Sequence, residues 1–237
     1  MRKAFSLVEL SIVLIIIGLL VAGVTSGSKL IKQAKINRVI AEVNDIISSA
    51  KVFQATYGQL PGDFDDATSF WSVYNSSSNP TGTVDGDGNG EITYTTEGRR
   101  FYHHMSLAEV YTGSYSSGTT ASWVAGTNVK ASSYDPGVYG IYSPTLNGEA
   151  KANYFRLGQA SGAGNNVGVV DVIFAYGIDR KMDDGEPSRG RVRVNSTGYS
   201  NDAVKPNGTV CVNGNFTEVD LSYVFSSTDK CMVDLAL

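Results

Sequence analysis

Seven consecutive residues, Asp85-Gly86-Asp87-Gly88-Asn89-Gly90-Glu91, place oxygen-bearing side chains at alternate positions of a glycine-rich stretch. That spacing lets oxygens converge on a hard cation such as calcium, with Gly90 allowing the sharp turn. Asp85, Asp87 and Asn89 are candidate calcium ligands through their side chains, and Glu91 through its backbone carbonyl. A full helix–loop–helix calcium site would close with a glutamate at the twelfth position. Thr96 stands there instead, Glu97 follows one residue late, and no clear helix precedes the stretch. Two readings stand side by side: an isolated calcium loop that stiffens an extracellular surface, and an Asp-Gly turn that needs no metal.

Asp179, Asp183 and Asp184 form a second acidic group. Paired carboxylates can serve as general acid and base, as in glycoside hydrolysis. Gly185 and Pro187 beside them, with Arg180 and Lys181 near enough to pair, favour turn-forming and capping duties. His103 and His104 are the two histidines of the chain. Adjacent helical residues point about 100° apart, so the pair suits core packing or surface exposure better than metal ligation. The chain has no Gly-x-Ser-x-Gly and no phosphate-binding loop. No motif argues for an enzyme, and no catalytic residue is assigned.

The elements that must carry these residues begin with an apolar run. The chain has 237 residues, with 19 Lys and Arg against 23 Asp and Glu, a formal charge of −4. That length fits one generous domain or two small ones. The acidic balance disfavours nucleic-acid binding, which draws on clustered Lys and Arg. Residues 5–24 are almost wholly apolar, and their only charge is Glu9. At 1.5 Å per residue they span roughly 30 Å, the thickness of a bilayer's hydrocarbon core. Arg2 and Lys3 precede the run, and the positive-inside rule then keeps the N-terminus cytoplasmic. A secretory signal competes with this reading. Against it stand a basic leader of four residues, a run longer than a usual signal core, and the acid inside it.

A carboxylate deep in lipid costs about 2.5–3.5 kcal/mol, so Glu9 calls for a partner unless it snorkels to the headgroups. A cut between Ala4 and Phe5 would create an α-amine, and a neighbouring copy's amine could neutralise Glu9. The segment Lys3-Ala4-Phe5-Ser6-Leu7-Val8-Glu9-Leu10-Ser11-Ile12-Val13 resembles the processing motif of type IV prepilins and type II secretion pseudopilins. The resemblance covers about the first 25–30 residues. It implies that a prepilin peptidase removes residues 1–4, cutting after Ala4, and methylates the new amine of Phe5. It also implies that Glu9 guides assembly of the helices into a fibre. The family normally has Gly before the cut, whereas this chain has Ala4, which is still small enough for a tight subsite.

The same resemblance implies an inner-membrane subunit, crossing once with its head extracytoplasmic, that an assembly platform transfers into a pilus or periplasmic pseudopilus. Its partners would be membrane lipid before assembly, then copies of itself or related pilins. The runner-up readings are a secretion pseudopilin and a membrane-anchored extracytoplasmic protein for adhesion or calcium binding.

Beyond the apolar run, Ile36, Val39, Ile40, Val43, Ile46, Ile47, Ala50 and Phe53 recur at helical spacing. The spacing predicts one long helix, with residues 25–56 as an amphipathic continuation and residues 57–237 as the head. Gly58, Pro61 and Gly62 end it. Asp63 is expected to cap a short helix carrying Phe64, Ala67, Phe70 and Trp71, before a loop over 75–89. A second helix is expected over 96–110, with Phe101, Met105 and Ala108 on one face. From Ala121 the alternation of Tyr, Val, Thr and Phe with Gly and Asn turns predicts an antiparallel sheet. Residues 169–176 fit either a short helix or a buried strand, and helix is preferred. The expected class is α+β: a long N-terminal helix, apolar in its first half, packed on a pilin-like head.

Cys211 and Cys231 are the two cysteines. An extracytoplasmic head meets an oxidising compartment, which favours a disulfide over two free buried thiols. Many type IV pilins close a C-terminal loop this way, and the resemblance implies that such a loop faces outward on the fibre.

Overall fold

The structure, a computed structural model, describes residues 7–73, 82–116, 122–143, 152–161, 164–187, 190–196, 211–213, 222–223, 225 and 230–237. The expected long helix is present as α1, Leu7–Tyr57, with 51 residues. At the standard rise it is about 76 Å long. Pro is absent from it, and Gly18, Gly23 and Gly27 are absorbed without a break. Gly58 stops it in the left-handed conformation, φ 79°. Its N–H donates to the Gln54 carbonyl at 2.8 Å, satisfying one of the groups a helix end leaves open.

Only the second half of α1 meets the head. Ile36, Val39, Val43, Ile46, Ile47, Ala50 and Phe53 are buried along one helix face, while every residue from Leu7 to Ser26 is exposed. The stripe packs against helices α3 (Glu97–Leu107) and α4 (Val172–Met182). Gly177 of α4 lies so close that an added Cβ would sit 2.6 Å from the Ile36 Cδ1. Glu42 fastens the same face. Its carboxylate accepts from the Tyr139 hydroxyl at 2.7 Å and from the Ser133 N–H at 3.1 Å. Burial would raise this carboxyl's pKa, but those hydrogen bonds outweigh it and hold the group below its ordinary value.

The head's sheet is antiparallel throughout, in the order β1-β2-β3-β8-β5. Its strands are β1 (Lys130–Ala131), β2 (Gly137–Tyr142), β3 (Tyr154–Ser161), β4 (Gly164–Val167), β5 (Val192–Ser196) and β8 (Cys231–Ala236), with β4 pairing the end of β3. β6 (Val212–Asn213) and β7 (Ser222–Tyr223) form a separate ribbon. The latest strand in the chain, β8, is inserted between β3 and β5. Its Asp234 stands in register with Arg156 of β3, and the two side chains form a buried ion pair at 2.7 Å. The Tyr142 hydroxyl donates to the same carboxylate at 2.9 Å.

Three local expectations are corrected. The short helix α2 is confined to Ala67–Trp71, and Asp63 does not cap it. Asp85 does that work from across the loop, accepting from the Thr68 N–H at 2.7 Å and its hydroxyl at 2.9 Å. α3 ends at Leu107, and Glu109 then turns left-handed at φ 57°. The ambiguous stretch 169–176 divides in two. Val170 pairs as an extended residue with Cys231, and the helix starts at Val172. Asp171 is its N-cap, accepting from the Phe174 N–H at 2.8 Å.

Candidate functional site

The first half of α1 is an apolar rod with no covering surface of its own. Its exposed residues include Leu10, Ile12, Leu14, Ile15, Ile16, Ile17, Leu19 and Leu20. Its hydroxyls turn back on the helix: Ser11 donates to the Val8 carbonyl, Thr25 to the Val21 and Ala22 carbonyls, and Ser28 to Thr25. Such internal satisfaction suits a helix in a medium without water. The rod is long and apolar enough to cross a bilayer. Glu9 sits in its first turn and is exposed. Ala4 and Phe5 lie outside the described residues.

The loop 82–92 folds back on the stretch after α1. Gly86 is where the two backbones meet, since a Cβ there would lie 2.2 Å from the Asp63 carbonyl carbon. Asp63 is almost fully buried and accepts from the Gly90 N–H at 2.8 Å and the Asn89 N–H at 3.2 Å. Glu97, also buried, accepts from the Asp87 N–H at 3.1 Å and the Thr93 N–H at 2.7 Å. Asp87 accepts from the Asn89 N–H and side-chain amide at 3.2 and 2.9 Å. Carboxylate oxygens of Asp63, Asp87 and Glu97 lie within 4.8 Å of one another. Burial, with Glu97 and Asp87 adding repulsion against the Gly90 hydrogen bond, pushes the Asp63 carboxyl up to about 6.

Of the four candidate calcium ligands, Asp87 alone belongs to this convergence. The Asp85 carboxylate is turned to α2, and the Asn89 Oδ1 accepts from the Glu91 N–H at 2.7 Å. Asp63 and Glu97 were not legible as partners from spacing, because Asp63 comes from a different turn 24 positions before Asp87. Gly86, which permits the close approach, is the residue that could have signalled it.

The second acidic group serves turns and anchoring. Asp183 accepts from the Arg191 and Val192 N–H groups, and Asp184 from the Glu186 N–H at 2.8 Å. Asp179 is buried and accepts from the Tyr223 hydroxyl at 2.5 Å and the Gly185 N–H at 3.2 Å. Burial pushes its carboxyl up to about 6 despite those bonds. His103 and His104 are both buried. The His104 Nδ1 accepts from the Gly62 N–H at 3.0 Å, so its proton belongs on Nε2, which faces the Thr83 Oγ1 at 3.0 Å. Burial, reinforced by His103, lowers its pKa to about 3.

Cys211 and Cys231 form a disulfide, with their Cα atoms 5.7 Å apart and both residues buried. Tyr223, inside the loop it closes, carries the hydrogen bond to Asp179 and so ties that loop to α4. Comparison with protein-family models, curated proteins and solved structures finds no match to this chain.

Proposed function

We propose that this chain is the structural subunit of a type IV pilus or a related pilus-like fibre. A prepilin peptidase cuts between Ala4 and Phe5 and methylates Phe5, and the subunit then waits in the inner membrane. An assembly platform moves it into the fibre, where residues 5–24 of many copies form the core and Glu9 meets a neighbour's amine. The observation that carries this reading is the uncovered apolar half of α1, with its one carboxylate placed five residues after the cut site. The disulfide supports a head in an oxidising compartment. Charge counting does not support that orientation, because Lys29, Lys32, Lys35 and Arg38 on the head side outnumber Arg2 and Lys3.

Mass analysis of the subunit purified from its own cells tests the processing step. The expected result is loss of Met1 to Ala4 with one added methyl group. An intact leader would reduce the protein to a plain membrane anchor. Glu9→Val then tests the pairing: membrane insertion persists and incorporation into fibres stops, whereas normal incorporation removes Glu9 from assembly.

The convergence of Asp63, Asp87 and Glu97 favours a narrower second proposal, that calcium stiffens the loop 82–92. Three carboxylates suit a hard cation held at the weak affinities of extracellular modules. Millimolar calcium is expected to raise the unfolding midpoint of the detergent-solubilised chain, and Asp87→Asn to abolish the rise. No rise in the wild type leaves a turn held by its own amides.

A further inference from the structure

Between the apolar rod and the head, α1 has a stretch with a character of its own. The buried stripe begins at Ile36, and within residues 25–35 Lys32 makes an ion pair with the head. From Leu10 to Ala41 every charged residue is basic: Lys29, Lys32, Lys35 and Arg38. Lys29 and Lys35 are exposed and have no carboxylate in salt-bridge reach among the described residues. Lys32 reaches Asp171, the N-cap of α4, at 3.5 Å. Leu30 and Ile31 between these lysines are 71% and 61% exposed, and Ile173, two residues after Asp171, is 52% exposed. Apolar side chains alternating with lysines at the mouth of a bilayer-length helix are the signature of an interfacial segment.

We infer that residues 29–35, together with the exposed Ile173 near the Lys32–Asp171 pair, dock on the headgroup layer of an anionic bilayer, the lysines binding lipid phosphate. The inference rests on the reading of the preceding residues as a membrane span. At 1.5 Å per residue, Lys29, Lys32 and Lys35 stand about 7, 12 and 17 Å beyond Val24. The headgroup layer is about 5–8 Å deep on each side of the hydrocarbon core. Lys29 therefore stands at its outer edge, and Lys32 lies within reach of it on a lysine stem. Lys35 acts across a distance comparable to the Debye length, about 8–10 Å at physiological salt. Leu30 and Ile31, about 9 and 10 Å beyond Val24, lie just past the outer edge of the same layer. Charge complementarity selects this occupant, because cations adjoining a span stand next to lipid phosphates, and Lys29 and Lys35 have no carboxylate in reach among the described residues. The contact holds on whichever side of the membrane the head lies, and it fixes how far the head rises from the surface.

The test uses the full chain reconstituted in vesicles of phosphatidylcholine with 30% phosphatidylglycerol (a mixture chosen for the assay). Spin-labelled phosphatidylglycerol and spin-labelled phosphatidylcholine report which lipid occupies the shell around the protein. Wild type is expected to prefer phosphatidylglycerol by about five-fold at low salt, the effect of roughly one lysine–phosphate contact. The preference should fall towards one in high salt and in the double variant Lys29→Gln/Lys35→Gln, which removes no contact to the head. Equal association of both lipids in the wild type, or an unchanged preference in the double variant, overturns the proposal. If the lysines serve a second copy's carboxylates instead, lipid preference is absent and the variant loses copy-to-copy crosslinks. Vesicle flotation separates the two readings: a chain that does not float with lipid defeats the span, and the docking with it. A chain that floats without preference defeats the docking alone.

Discussion

His104 and Asp179 are buried groups whose protons respond to pH in opposite senses. Unfolded, His104 takes a proton near 6.5; folded, it refuses one until about 3. Acidification below about 6.5 therefore favours the unfolded chain through this residue. Asp179 works the other way: the folded carboxyl accepts a proton near 6 and the unfolded one near 3.8, so the fold gains between those values as pH falls. Asp63 shares that sign and window. Asp179→Asn removes one of the two favourable protonations. Its stability relative to wild type should accordingly improve as pH rises from 4 to 7, measured by denaturant unfolding at each pH. A constant difference across that range would mean that Asp179 is already ionised at little cost at pH 4. None of this was visible in the sequence, where the aspartate reads as a turn or capping residue in preference to one of an acid–base pair. Its hydroxyl partner, Tyr223, lies 44 residues away in the chain.

The helix α1 is two devices on one axis, and they differ in what a substitution does. Ile46 is fully buried in the head-facing stripe, whereas Ile31 is exposed below it. Ile46→Ala is expected to cost roughly 2–5 kcal/mol, the lost transfer energy plus an unfilled cavity. Ile31→Ala should leave the head's stability within about 0.5 kcal/mol. Chemical denaturation followed by head fluorescence distinguishes them, and equal effects would mean that the stripe extends lower than the structure places it. The 3.6-residue recurrence made the stripe legible in advance, because one face of a helix repeats regularly. Loop partners repeat in no such way. The cap of α2 came from Asp85 rather than from the nearer Asp63, because a loop folding back can offer an acceptor that local order does not reveal.

At the scale of the molecule, the α+β class, the antiparallel sheet and the cysteine pair followed from apolar periodicity, turn residues and compartment. Strand order did not, because nothing local specifies that β8 lies between β3 and β5. The Arg156–Asp234 pair was equally hidden, since an ion pair across two strands leaves no mark on either segment alone. The disulfide anchors β8 at its first residue, Cys231. Closing a loop with a sequence separation of 20 stabilises by about 3 kcal/mol in the chain-entropy account. The paired variant Cys211→Ser/Cys231→Ser should therefore unfold more readily by about that amount, and a reducing agent should have the same effect on wild type. Unchanged unfolding midpoints would mean that the loop is held by packing alone.

The position of β8 also governs when the head can come into being. A ribosome delivers β3 and β5 before the strand that lies between them, so β3 can pair early with β2 and β4 while β5 must wait for β8. Until residues 231–236 have emerged, β5 lies apart from the rest of its sheet. The sheet therefore closes only when β8 slots in between its two neighbours.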